Sequence, residues 1–196
     1  MDSIEYYNKN AKEYIISTAG LKMDELLNKF AGYIDQGGTV LDIGCGSGRD
    51  SMWFKKRGFD VWAHDGSIAM VEHCKIFLHD RVQVASFNDY TSNMEFDGLW
   101  ACSSLLHVPR SKLKSIIDKY TSLLKKNGVF FMSFKLGEDD HEDSGRAFTN
   151  MSKSLIVELL DSCNQLKIVE LIISTDQRTE RREESWISVI AKKHED

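Results

Sequence analysis

The chain has one proline in 196 residues, four cysteines, no excess of basic charge and no long apolar run. Each scarcity removes a class of protein. A lone proline, Pro109, leaves no proline-rich linker, and no segment repeats, so a single domain is expected. Cys45, Cys74, Cys102 and Cys163 stand far apart without a CxxC, and three of them fall in apolar periodic segments where a thiol acts as a small hydrophobe. Neither a disulfide framework nor a zinc-ligand spacing arises. The formal charge is −5 with scattered basic residues, which speaks against a nucleic-acid footprint and against a polybasic membrane patch. The first residues lack the basic and apolar regions of a leader, so a cytoplasmic protein is expected.

What is present is an alternation of strand and helix patterns. An Asp2-x-x-Glu5 cap opens a short helix with Tyr7, Ala11 and Tyr14 on one side, and Met23, Leu26, Leu27, Phe30 and Ala31 mark a second helix. Strands are then predicted at 39–43, 59–64, 82–86, 96–102 and 129–134, with helices at 50–57, 68–78 and 111–126 among them. Residues 135–151 read as a polar loop, followed by a helix at 153–163 and strands at 166–174 and 186–191. Strands separated by helices pair in parallel through right-handed crossovers, whereas the last two strands have no helix between them and predict an antiparallel hairpin. The fold class is α/β, with residues 1–36 a helical lid and residues 37–196 a seven-stranded core.

Three glycines follow the first strand in "LDIGCGSGRD", at Gly44, Gly46 and Gly48. Glycine costs backbone entropy, so three in five residues imply that the backbone must approach a ligand closely. A ligand in an open α/β sheet sits beyond the carboxyl ends of the strands, which is where this loop falls. The third position of a GxGxxG dinucleotide fingerprint would be Arg49, and no Gly-Lys-Ser/Thr follows, so neither a nicotinamide cofactor nor a nucleoside triphosphate fits. The carboxylate of Asp42 can accept from a cationic group. The second strand ends in "WAHDGS", where Asp65 can take both hydroxyls of a ribose.

"VLDIGCGSG", the acidic Asp65 and "FDGLWACSSLLHV" together resemble the class I S-adenosylmethionine-dependent methyltransferases over essentially the whole chain. The resemblance implies a Rossmann-like, mostly parallel seven-stranded sheet with an antiparallel last strand and helices on both faces. It also implies S-adenosyl-L-methionine as cofactor. "GCGSGRDS" is similar to the branch with tellurite-resistance and thiopurine-type small-molecule enzymes. Expected cofactor-binding residues are Asp42, Gly44, Cys45, Gly46, Gly48, Asp65, Gly66, Ser67 and Cys102. Phe87 and Asn88, with Asp89, lie in "SFND", where the family contacts adenine, although Phe87 equally suits the core. Tyr6, Tyr7 and Tyr14 resemble the family's aromatic lid, and Tyr14 is counted with the cofactor residues.

His107 follows the fourth strand and is the candidate base, the alternative being a histidine that only shapes the pocket. Topology sends Lys135, Arg146, Arg178, Arg181 and Arg182 towards the same mouth, with Trp186 at the hairpin base. Lys135, Arg146, Arg178, Arg181 and Trp186 are therefore candidate contacts for a small polar or anionic acceptor, against the alternative of a solvated, salt-bridged loop. "GEDDHED" lacks calcium-loop spacing, so no metal is expected, and "GSGRDS" is not a nucleophile elbow. Nucleic-acid enzymes of this fold resemble one another in a (D/N/S)PP(Y/F) segment that is missing here, so a small-molecule acceptor is favoured. A tellurite- or thiol-type chalcogen acceptor, needing no base, and a non-catalytic cofactor-binding module are the alternatives. Oligomeric state is left open.

Overall fold

A computed structural model describes residues 2–178 and 183–194. Three helices precede the first strand, one more than the periodicity predicts: α1 (Ser3–Lys9), α2 (Ala11–Ala19) and α3 (Asp24–Ala31). The single amphipathic pattern through Tyr7, Ala11 and Tyr14 is broken at Asn10, whose side-chain amide donates to the Tyr6 carbonyl. Asp2 caps α1 by accepting from the Glu5 N–H at 2.8 Å, as the capping sequence implies.

From there β1 (Thr39–Ile43), α4 (Arg49–Lys56), β2 (Asp60–Asp65), α5 (Ile68–Leu78), β3 (Val82–Val84), β4 (Phe96–Ala101), α6 (Arg110–Thr121) and β5 (Leu124–Lys135) alternate. They are followed by β6 (His141–Asp143), β7 (Arg146–Phe148), α7 (Lys153–Asp161), β8 (Leu166–Thr175) and β9 (Ser185–Lys193). Seven strands form one sheet in the order β3-β2-β1-β4-β5-β9-β8. All pairings are parallel except those of β9, which runs antiparallel to β5 and β8. The central strands are therefore buried on both faces. One core holds Phe30, Phe54, Trp100 and Phe131 under α3 and α4, with Trp100 stacked on Phe131 at 3.8 Å. The other holds Ile117, Tyr120, Phe130 and Phe134, and α6 and α7 pack on it.

Two predictions are corrected. The helix expected over 111–126 ends at Thr121, because Leu124 already pairs with Phe96 of β4 and Lys125 bonds the Asp97 carboxylate at 2.9 Å. The stretch read as a polar loop contains the β6–β7 hairpin, turned by Ser144 at φ 54° and Gly145 at φ 79°. Two positive φ values in a two-residue turn match the right-handed twist of the flanking strands.

Candidate active site

The glycine loop turns off the end of β1 and is tied to β2: the N–H groups of Gly44 and Cys45 both donate to the His64 carbonyl, at 2.9 and 3.0 Å. Asp65, the last residue of β2, accepts from the Gly46 N–H at 2.9 Å and from the Ser67 N–H at 2.8 Å. Burial pushes its carboxyl above the usual range, and the two N–H donors pull it back. Each oxygen keeps a second lone pair. Those atoms border a cavity of about 90 Å³ walled by Ile4, Gly66, Met70, Ser86 and Phe87. Ser104 lines the same cavity, and its buried hydroxyl has no hydrogen-bond partner.

A second cavity of about 100 Å³ continues past the loop between Asp42, Arg49, Cys102, His107, Arg146 and Trp186. Asp42 accepts from the Ser51 hydroxyl at 2.6 Å; burial, with the Asp50 charge adding, holds its carboxyl up to about 7. Arg49 forks onto Asp50 at 2.6 and 2.8 Å, and the Trp100 indole N–H donates to the same carboxylate at 2.9 Å. Burial pushes the Cys102 thiol up to about 12, so it is no nucleophile. Just beyond β4, Ser103 is held at φ 54° with its N–H on the Ser133 hydroxyl at 2.8 Å. That strained backbone turns the chain towards His107.

His107 is fixed from both ring nitrogens. The Ala147 carbonyl lies 2.8 Å from Nδ1 and must receive its proton, which leaves Nε2 to accept from the Tyr7 hydroxyl at 3.0 Å. Burial, reinforced by Arg146 and Lys135, lowers its pKa to about 4, so the ring is neutral at physiological pH. The Arg146 guanidinium lies 4.0 Å over the Tyr6 ring, and its buried Nε has no partner.

Residues of α1 and α2 cover both cavities. Tyr14 lies against Gly46, where a Cβ would come 3.3 Å from its ring at a φ of +53°. Ile4 covers Gly66, and the Thr18 hydroxyl donates to Ser47 at 3.1 Å. Pockets for small organic ligands run to roughly 300–1,000 Å³, so α1 and α2 must move for a nucleoside-sized molecule to enter.

Most of the residues picked from the sequence converge here, with exceptions. Gly48 faces away from the cleft: at φ +70° its Cβ would come 2.4 Å from Phe77 and 2.7 Å from Cys74, so it serves the packing of the loop on α5. The Cys45 side chain likewise turns into the core, 3.9 Å from the Cys74 sulfur. Asn88 and Asp89 are exposed and outside the cavity, with the Asn88 carbonyl bonded by Lys119; Ser86 and Phe87 take the wall instead. Lys135 pairs with Glu184 at 2.8 Å, Arg178 with Asp176 and Arg146 with Asp143 at 3.0 Å, so the salt-bridged alternative describes all three of these cations, Arg146 keeping only its Nε without a partner. Arg181 and Arg182 lie outside the described residues. Sequence reasoning missed Ser104 and Asp50, although the consecutive serines after β4 and the Arg-Asp pair after the glycines were visible signals. Among the described residues no group of acidic, histidine or cysteine side chains is arranged to hold a metal ion.

Residues 13–162 match the family model described as a methyltransferase domain. The chain belongs to that methyltransferase family. It is similar to an uncharacterized methyltransferase of Staphylococcus carnosus (strain TM300), 23% identical over 210 residues that span 98% of this chain and 100% of the relative. Its fold is similar to the 1,6-didemethyltoxoflavin-N1-methyltransferase of Burkholderia thailandensis, solved with S-adenosylhomocysteine, at a TM-score of 0.78 and 18% identity over 98% of this chain and 85% of that one. It is also similar to magnesium protoporphyrin IX methyltransferase of Synechocystis PCC 6803, solved with S-adenosylmethionine, at a TM-score of 0.71 and 16% identity over 97% and 94% of the two chains. By family and by fold this methyltransferase is of the class I, S-adenosylmethionine-dependent kind.

Proposed function

We propose that this methyltransferase transfers the methyl group of S-adenosylmethionine to a small polar or anionic molecule. The observation that carries the reading is the half-buried Asp65 carboxylate at the end of β2, fixed by two loop N–H groups and lining one cavity with Ser104, whose hydroxyl is unpartnered. A diol acceptor, an orphan hydroxyl and an apolar slot between Ile4, Met70 and Phe87 fit a nucleoside. When bound, S-adenosylmethionine supplies an electrophilic methyl group. The protein's own residues hold, orient and dehydrate the reacting groups.

Asp65 accepts the ribose hydroxyls, and Gly44 and Gly46 keep the loop free of side chains. Phe87 and Ile4 sandwich the base, while Tyr14 and Tyr7 close over the cleft. His107 Nε2 receives the proton that the acceptor loses, through the Tyr7 hydroxyl that already donates to it. Arg146, paired with Asp143 through one terminal nitrogen at 3.0 Å, keeps an unpartnered Nε beside that pair as a donor to an acceptor oxygen, which favours a polar or anionic group there. Both solved neighbours are named for small substrates, which supports the same direction. Residues 1–36 act as the lid, and a cytoplasmic setting with reduced thiols suits the four free cysteines. The finer affinity to tellurite- and thiopurine-type enzymes rests on "GCGSGRDS" alone.

Titration calorimetry with S-adenosylmethionine and S-adenosylhomocysteine tests the site. Asp65→Ala is expected to weaken both by about tenfold to a hundredfold, the loss of hydrogen bonds to a charged group. No heat with wild-type protein would refute the cofactor assignment.

A further inference from the structure

A cavity of about 380 Å³ adjoins the cleft on the α3 face of the sheet. Along that face β5 contributes Val129 and Phe131 to the core, and β9 contributes Ile190. Two residues further along each strand, the same stripe reads Ser133 and Ser188, which are register partners. Apolar packing thus stops at a pair of small hydroxyls, and the cavity begins there. Ser133 is satisfied by the Ser103 N–H at 2.8 Å. Ser188 is not: the residue lines the cavity and is 1% exposed, and its buried hydroxyl has no partner. A buried hydroxyl left unpaired is costly, so a ligand atom is the natural partner.

The walls say what kind of ligand. Leu21, Leu26 and Ile172 are apolar, and the Trp186 indole is held in place by donating to Asp176 at 3.0 Å. The cations Arg49 and Arg178 are each neutralised by a carboxylate, Asp50 and Asp176. The remaining wall cation, Lys22, is offset by the carboxylates of Asp24 and Glu25 on the same walls, so a bound anion would find no excess of positive charge there. Arg49, Ser103, Arg178 and Trp186 also border the cleft below the glycine loop, so the two spaces share a wall beside the expected methyl donor.

We propose that this cavity binds the body of the methyl acceptor, and that this part of the acceptor is a neutral, flat one- or two-ring system with a hydrogen-bonding heteroatom directed at Ser188. A charged group elsewhere on the acceptor belongs at the Arg146 end of the cleft, where Nε is without a partner beside the Asp143 pair. The proposal rests on the methyltransferase reading above, and the volume falls at the small end of organic-ligand pockets, roughly 300–1,000 Å³.

The test follows the indole N–H resonance of Trp186, assigned with Trp186→Phe, while 6-hydroxyquinoline is titrated in saturating S-adenosylhomocysteine. A saturable shift is expected, with quinoline-6-carboxylate binding more weakly. Ser188→Ala should weaken 6-hydroxyquinoline about fivefold, the loss of one neutral hydrogen bond, and Ser188→Leu should abolish its binding by filling the cavity. Calorimetric binding of S-adenosylhomocysteine should stay unchanged in both variants, which also shows that they are folded. No shift in the wild-type protein, equal affinity in the Ser188 variants, or tighter binding of the carboxylate overturns the cavity assignment while leaving the cofactor reading intact. Failure of S-adenosylhomocysteine to bind the wild-type protein overturns the cofactor reading and this proposal with it.

Discussion

His107 shows how much a single side chain owes to its neighbours. In the sequence it is a histidine in a loop, with an ordinary pKa near 6.5. In the fold, burial comes first, and Arg146 and Lys135 add to it, bringing the value to about 4. The neutral ring is the form that can take a proton, so its activity should not change between pH 8 and pH 5 on account of this residue. It should fall as pH drops through about 4, where Nε2 becomes protonated. A profile of kcat/KM against pH, once an acceptor is found by screening, checks this; because Asp42 in the same cavity is held up to about 7, only an inflection near 6.5 that His107→Asn removes would contradict the assignment. His107→Asn should lower kcat by about a hundredfold, the low end of general-base effects. Asp65 was legible from its place after the second strand, because a strand end and an acidic side chain are sequence-local facts. Gly48 is the opposite case: its need for glycine comes from Phe77 and Cys74 on α5, which no local pattern reveals.

At the scale of elements, helix α1 is held at its surface, by Ile4 against Gly66, the Arg146 guanidinium over Tyr6 and two polar ties. The Asn8 side-chain amide oxygen, Oδ1, accepts from the Ser67 hydroxyl at 2.8 Å and from the Ala69 N–H at 3.2 Å, pinning α1 to the start of α5. The Tyr7 hydroxyl reaches His107 from the same short helix, in which no residue is buried. An element so lightly anchored opens locally at low free-energy cost. Asn8→Ala should therefore speed amide exchange within residues 3–9 by about fivefold to tenfold, and S-adenosylhomocysteine should slow it in the wild-type protein. Hydrogen exchange read by mass spectrometry checks both; no protection by the ligand would show that α1 is not its cover. The elements themselves differ in legibility. Helix α5 falls at 68–78 as predicted, because its cap Ser67 and its apolar residues lie within one segment. The end of α6 was missed because Leu123, Leu124 and the lysines continue the helical pattern while the pairing with β4 removes them from it. The β6–β7 hairpin was missed although Ser144-Gly145 is a turn signal, since its strands are only three residues long and polar.

Across the whole molecule, acid stability turns on buried groups that titrate in opposite senses. His64 is fully buried, with Nδ1 against the Ala85 carbonyl at 3.1 Å and Nε2 against the Tyr120 hydroxyl at 2.8 Å. Burial lowers its pKa to about 4, with Lys119 adding to that effect and the Ala85 carbonyl opposing it. The unfolded chain takes up this proton near pH 6.5 and the folded protein only near 4, so His64 removes stability as pH falls through that window, by roughly 3 kcal/mol. Asp42, held up to about 7, gains stability over much of the same window, because the folded state then binds the proton first. The effect of His64 is therefore a difference of slopes. Urea unfolding of the wild-type protein and of His64→Asn at pH 7 and pH 4.5 should show the variant losing less, or gaining more, on acidification. Equal changes would mean that His64 is accessible to protons in the folded state. The sequence by itself determined the α/β alternation, the antiparallel final hairpin, the glycine loop and its partner carboxylate, because periodicity, turn chemistry and strand ends are written within short segments. Only the tertiary structure decided which cations are already neutralised, which tautomer His107 holds, how closely α1 and α2 cover the cleft and where a serine-floored cavity opens beside it. These depend on residues far apart in the chain, whose charges, hydrogen bonds and volumes meet only after folding.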